Sequence, residues 1–144
     1  GHRVLVLRTF SKIYGLAGLR VGYAIGQEDT ITSLRRMQVP FATTNVSIAA
    51  AEEALRHPDL VAARVKENAR GRDQITAGLD ALGVTHLESQ TNFMFIRPQR
   101  APADLCDALL HRGVIVRQFG EHVRVTVGTE AENDRFLETL GELL

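Results

Sequence analysis

Of the seventeen basic residues in this chain only two are lysines, and one of them, Lys12, lies in the segment RTFSKIYGLAGLRVG, residues 8–22. Arginine stays protonated inside a protein, whereas a lysine amine loses its proton when it is buried or flanked by charge. Only the neutral amine attacks a carbonyl to form a Schiff base. In a chain that otherwise writes positive charge as arginine, Lys12 is a candidate for amine chemistry. A solvated loop lysine is the alternative reading, and Lys66, in RVKENAR, is read that way. The neighbours of Lys12 add to the chemistry. Ser11 offers a hydroxyl. Gly15 and Gly18 allow a tight turn and close backbone approach to a ligand. Arg20 carries a planar fork suited to phosphate oxygens. Together they could hold an aldehyde cofactor that bears a phosphate, as pyridoxal phosphate does. Neither the dinucleotide glycine pattern nor the P-loop pattern is present.

Secondary structure must place these groups. The run VLVL, Val4 to Leu7, reads as a strand buried on both faces, and VGYAIG as a second strand. Asp29 is expected to cap a helix through about Gln38, with Ile31, Leu34 and Gln38 on one face and Pro40 ending it. NVSIAAAEEALR reads as an alanine-rich helix, and Pro58 suits the first turn of the next. That next helix is long. Val61, Val65, Arg72, Ile75, Leu79 and Leu82 form its stripe, and Gly83 is its stop. VTHLES, NFMFIRP, VIVRQF and HVRVTVG read as strands and APADLCDALLHRG as a helix. Thr129 with Glu132 makes a capping box for the last helix, whose buried face is Phe136, Leu140, Leu143 and Leu144. A domain boundary is expected within the long helix, near residues 70–82. The part after it reads as a small α+β unit with its helices on one side of a sheet. Alternation along HVRVTV sets Val123, Val125 and Val127 on one face and Arg124 and Thr126 on the other.

The segment TFSKIYGLAGLRVGYAIG resembles the cofactor-lysine segment of class I/II, fold-type I pyridoxal-phosphate aminotransferases. VPFATTNVSIAAAEEAL, TNFMFIRP, GVIVRQF and VRVTVGTEAENDRFLETL follow in the family's order and are similar to histidinol-phosphate aminotransferases. Relatives acting on aromatic amino acids share most of these motifs. The resemblance implies an α/β fold, the C-terminal part of a fold-type I transferase. It comprises the end of the large-domain mixed sheet with the start of the linking helix in residues 1–75, and the small α+β domain in residues 76–144. It implies that Lys12 bonds the cofactor, pyridoxal 5'-phosphate, and shuttles a proton, and that Ser11 and Arg20 bind its phosphate. Arg124 would bind the substrate's anionic group and Arg117 would help hold the phosphate of histidinol phosphate. On the residues alone, Arg124 also reads as an exposed strand position and Arg117 as an ordinary strand-end arginine.

The implied activity is amino transfer between glutamate/2-oxoglutarate and histidinol phosphate/imidazole-acetol phosphate, in histidine biosynthesis, by a homodimer. An aromatic amino acid aminotransferase is the first alternative. Decarboxylation of a phosphorylated amino acid on the same fold, and a non-catalytic effector module of a regulator, are the others. The opening of the chain directly into VLVL suggests a fragment. The family's acidic partner of the pyridine nitrogen, its ring-stacking aromatic and a tyrosine from the partner subunit all belong to preceding sequence. These 144 residues alone are therefore expected to be inactive.

Composition bounds the rest. The chain is 44% hydrophobic and 24% charged with formal net charge +0, so bulk attraction to nucleic acid or to an anionic membrane is not expected. The single cysteine, Cys106, permits no internal disulfide and fits a reducing, cytoplasmic setting. It reads as a buried helix thiol. The five histidines show no metal-ligand spacing, so no metal site is expected.

Overall fold

A computed structural model describes residues 4–144 of the chain. It divides into two compact units, residues 1–65 and 66–144. The division falls inside one helix, and the expected boundary, after residue 75, lies further along that same helix.

In the first unit, β1 (Leu5–Thr9) pairs antiparallel with β2 (Gly22–Gly26), Leu5 opposite Gly26 and Thr9 opposite Gly22. The strand expected at VLVL forms, but its burial on both faces does not. Every β1 side chain is exposed, Leu7 at 71%. Burial on both faces takes a covering layer on each side, and among the described residues β1 belongs to a two-stranded ribbon. Helix α1 (Glu28–Met37) follows, capped by Gln27 rather than by Asp29. The chain is still extended at Gln27, and Asp29 falls in the first helical turn, where its carboxylate accepts the Thr30 amide at 2.7 Å. A carboxylate there favours the helix dipole without being the cap. The expected stripe on α1 is only partly covered: Ile31 is half-buried, Leu34 is exposed, and Gln38 lies past the last helical residue.

Helix α2 (Asn45–Leu55) is capped by Thr44, whose hydroxyl accepts the Ser47 amide at 3.1 Å. The link between α1 and α2 leaves Met37, Val39 and Phe41 exposed, with Phe41 in the left-handed region at φ 61°. A small core of Phe10, Val21 and Ala51, with Tyr14, Leu16, Leu19 and Ala54 against it, holds this unit. The rings of Tyr14 and Tyr23 lie 4.7 and 5.8 Å from that of Phe10. Helix α3 (Pro58–Ala81) begins at the expected proline and stops before Gly83, which takes φ 67°.

The second unit carries β3 (Thr85–His86), β4 (Phe93–Arg97), α4 (Pro102–His111), β5 (Arg117–Phe119), β6 (His122–Thr126) and α5 (Glu130–Gly141). Its antiparallel sheet has the order β3-β4-β6-β5. Met94 and Ile96 of β4 and Val123 and Val125 of β6 point to one face. There they meet Ile75 and Leu79 of α3, Leu105 and Leu109 of α4, and Phe136 and Leu140 of α5. Helices therefore lie on one side of this sheet, as the alternation implied.

The stripe of α3 is buried at Ile75 and Leu79; Val61, Arg72 and Leu82 are half-buried and Val65 is 55% exposed. At Gly71 an added Cβ would meet the Val127 Cγ1 at 2.6 Å, so this turn of α3 lies hard against the chain after β6. Buried Asn133 fastens that contact: it donates to Gln74 Oε1 at 2.9 Å and accepts the Gly128 amide at 2.9 Å.

Three further expectations change. Strand β5 starts at Arg117, not Val114, because the Val114 amide is used by the Leu109 carbonyl closing α4. The strand expected at VTHLES shrinks to two residues. Leu144 is exposed because α5 ends at Gly141, so the helical face does not reach it. The Thr129–Glu132 capping box forms as read. Cys106 is half-buried, and burial pushes its thiol pKa up, away from thiolate chemistry.

Candidate functional site

Ser11, Lys12 and Arg20 share one loop, residues 10–21, between β1 and β2. The loop closes at its base where the Phe10 amide donates to the Val21 carbonyl at 3.2 Å. A first turn runs from Lys12, whose carbonyl accepts the Gly15 amide at 2.9 Å, with Gly15 at φ 72°. A residue with a side chain rarely adopts that angle, so the glycine is required there. A 3-10 turn at Ala17–Leu19 follows and ends in Arg20, itself left-handed at φ 51°. Gly18 is not needed for the turn, and an added Cβ there would meet nothing within 4 Å. The tight turning expected of both glycines thus falls to Gly15 and Arg20.

The side chains are presented outward. Lys12 and Arg20 are exposed and Ser11 is half-buried. The Ser11 amide is held by the Thr9 hydroxyl at 3.1 Å. One arm of Arg20 bonds the Ala17 carbonyl at 2.6 Å. Among the described residues the Lys12 amine and the Ser11 hydroxyl have no hydrogen-bond or ion-pair partner. An amine, a hydroxyl and a guanidinium on one short loop, with open space above Gly18, are a donor set that fits an aldehyde and a phosphate.

Arg117 and Arg124 come together in the second unit. They are register partners across β5 and β6, so both side chains rise from the same face, opposite the packed core. Arg124 is half-buried and its guanidinium lies 5.3 Å from the centroid of the Phe93 ring. Among the described residues its Nε–H is buried with no hydrogen-bond partner. Two like charges directly opposed on neighbouring strands repel, and a buried donor without an acceptor is costly. An anion placed between them would relieve both.

Beside this pair is an aromatic group that the sequence reading did not single out. Phe95 lies 5.5 Å from Phe93, 5.5 Å from Phe119 and 6.1 Å from His122, centroid to centroid. Alternation in NFMFIRP places Phe93 and Phe95 on one face, but which face of which neighbour depends on strand register, and no local signal carries that.

Residues 1–140 match the family described as aminotransferase class I and II. The chain is 47% identical over 146 residues to histidinol-phosphate aminotransferase 1 of Dechloromonas aromatica (strain RCB), covering 98% of this chain and 40% of that protein. It is 43% identical over 136 residues to the aromatic amino acid aminotransferase of Mycobacterium sp. (strain KMS), covering 94% and 38%. The crystal structure of histidinol-phosphate aminotransferase from Sinorhizobium meliloti in complex with pyridoxal-5'-phosphate is similar with a TM-score of 0.88 at 28% identity, over 97% of this chain and 40% of that one. The chain spans about two fifths of the length of the curated relatives it matches.

Proposed function

This chain belongs to the class I and II aminotransferases, and from that premise we propose that it serves, within a full-length protein, in amino transfer between glutamate/2-oxoglutarate and histidinol phosphate/imidazole-acetol phosphate. Its cofactor is pyridoxal 5'-phosphate, which when bound supplies an aldehyde for covalent attachment and a ring that draws electrons from the reacting carbon. Lys12 holds the cofactor through its amine and, once released by substrate, moves the proton at the substrate carbon. Ser11 and Arg20 grip the cofactor phosphate. Arg124 takes the substrate's anionic group, and Arg117, directly across the strand, shares it. Residues 1–75 are assigned to the end of the large domain and 76–144 to the small one.

The observation that carries the choice of substrate is the cross-strand arginine pair with its unpartnered Arg124 Nε–H. Two guanidiniums suit a phosphate dianion better than a lone carboxylate. Aromatic amino acid transfer is the second reading. It is favoured by the 43% identity to the mycobacterial aromatic enzyme and by the rings beside Arg124. The full-length protein is assigned as a cytoplasmic homodimer, and exposed Met37, Val39 and Phe41 support burial against further protein. The 144 residues alone are not expected to transaminate.

The test is turnover of histidinol phosphate against phenylalanine by the full-length protein, with Lys12→Ala as control. Preference for histidinol phosphate, with transfer abolished in Lys12→Ala, is expected. Near-normal transfer by Lys12→Ala would sink the assignment of the lysine. Preference for phenylalanine would replace the first reading with the second.

A further inference from the structure

We infer that Ser47 and Arg64 are positioning residues for the loop that carries Lys12 and Arg20, and that they set the amine and the phosphate grip independently of each other. The inference rests on the cofactor reading of that loop. The loop's own hydrogen bonds close its base and its two turns, but two carbonyls are taken by helices instead. Arg64 Nη1, on α3, donates to the Ile13 carbonyl at 2.7 Å. Ser47 Oγ, on α2, donates to the Leu19 carbonyl at 2.8 Å. Ile13 follows Lys12 directly, and Leu19 directly precedes Arg20. Each tether therefore acts one peptide away from a residue that the reading assigns to the cofactor.

Both tethers are built to hold. The Arg64 bond is charge-assisted and short, the stronger kind. The same Arg64 nitrogen lies 3.9 Å from where a Cβ on Gly15 would stand, so it covers the left-handed turn just after Lys12. Ser47 is 3% exposed, and its hydroxyl also contacts the Thr44 hydroxyl at 2.9 Å, which fixes its rotamer. The peptide it anchors leads into Arg20, a side-chain-bearing residue at φ 51°. Such a conformation persists only where surrounding contacts over-determine it. Groups that act on one ligand must be held to within roughly half an ångström. An exposed lysine on a surface loop does not achieve that unaided.

The test uses the full-length protein as wild type, Arg64→Ala, Arg64→Lys and Ser47→Ala. The stripped protein is titrated with pyridoxal 5'-phosphate and, separately, with pyridoxal, which lacks the phosphate. Covalent capture is read as borohydride-reducible absorbance at Lys12, and the melting temperature of each stripped protein is recorded. Arg64→Ala is expected to weaken capture of both compounds by about tenfold, with Arg64→Lys recovering part of the loss. Ser47→Ala is expected to weaken capture of the phosphorylated compound by about tenfold and to leave pyridoxal within about twofold of wild type. A change of about tenfold matches the loss of one hydrogen bond.

Unchanged capture of the phosphorylated compound in both variants would overturn the inference, whatever the melting temperatures do. So would equal weakening of both compounds in both variants alongside lowered melting temperatures, which is the mark of a merely structural role. A wild-type protein that captures neither compound at Lys12 overturns the cofactor reading itself, a failure seen before any variant is compared.

Discussion

Arg117 and Arg124 are the residues where a local cost and a function are hardest to separate. Directly opposed like charges cost up to ~1 kcal/mol in a strand pair, and Arg117 is exposed while Arg124 is half-buried. Removing Arg117 should therefore leave the ligand-free protein as stable or slightly more stable. It should also lower affinity for a phosphate-bearing substrate, by roughly tenfold or more for loss of one charged hydrogen bond at ~1.5–3 kcal/mol. Melting temperature of full-length Arg117→Ala with and without histidinol phosphate checks both signs. A drop in ligand-free stability with an intact ligand-induced shift would remove Arg117 from the anion site. Arg117 was named through the family resemblance, and the face that Arg124 takes was legible from alternation along HVRVTV. Their pairing was not, because it needs the register of two strands joined by the turn at Gly120–Glu121.

At the scale of elements, the capping signals were the most legible. The capping box read at Thr129–Glu132 joins residues three apart and forms; the Thr44 cap of α2 is just as local, but the sequence reading did not name it. In α5 the Glu132 carboxylate accepts the Thr129 amide at 2.8 Å and its hydroxyl at 2.9 Å. The backbone bond first, then the hydroxyl, holds the Glu132 pKa below its ordinary value of 4.5. A depressed carboxyl pKa stabilises the fold above the ordinary value, and the contribution is lost as pH falls through the lowered one. Wild type should thus be more stable than Glu132→Gln near neutrality, and the two should converge in acid below that window. Denaturant midpoints from pH 7 down to pH 2 measure it, the pH values being about two on either side of the usual carboxyl range. Thr129→Ala should cost ~1 kcal/mol. The cap of α1 shows the limit of the signal: Asp29 is a good capping type, but the chain turns helical one residue before it, at Glu28.

For the whole molecule, burial is uneven. Among the described residues the second unit gathers eleven buried apolar residues in one cluster, and the first gathers Phe10, Val21 and Ala51. Residues 66–144 produced alone should unfold in one cooperative thermal transition, whereas residues 1–65 alone should show none, as followed by circular dichroism. Domains of this size are marginal and depend on the core they bury. A cooperative transition in 1–65 would contradict that division of stability. The exposed β1 side chains fit the same picture: an apolar strand type is set by sequence, but its burial needs layers that the described residues do not place over it. The sequence alone marked Lys12, Ser11 and Arg20 as candidates for amine and phosphate chemistry, and set where most helices start and stop. Those properties depend on residue type and on neighbours a few positions away. Tertiary structure alone decided that Arg117 faces Arg124, that Phe93 lies under that arginine, and that Arg64 and Ser47 reach the loop carbonyls. These contacts join distant residues through register and packing, where a one-residue slip would turn every strand side chain to the other face.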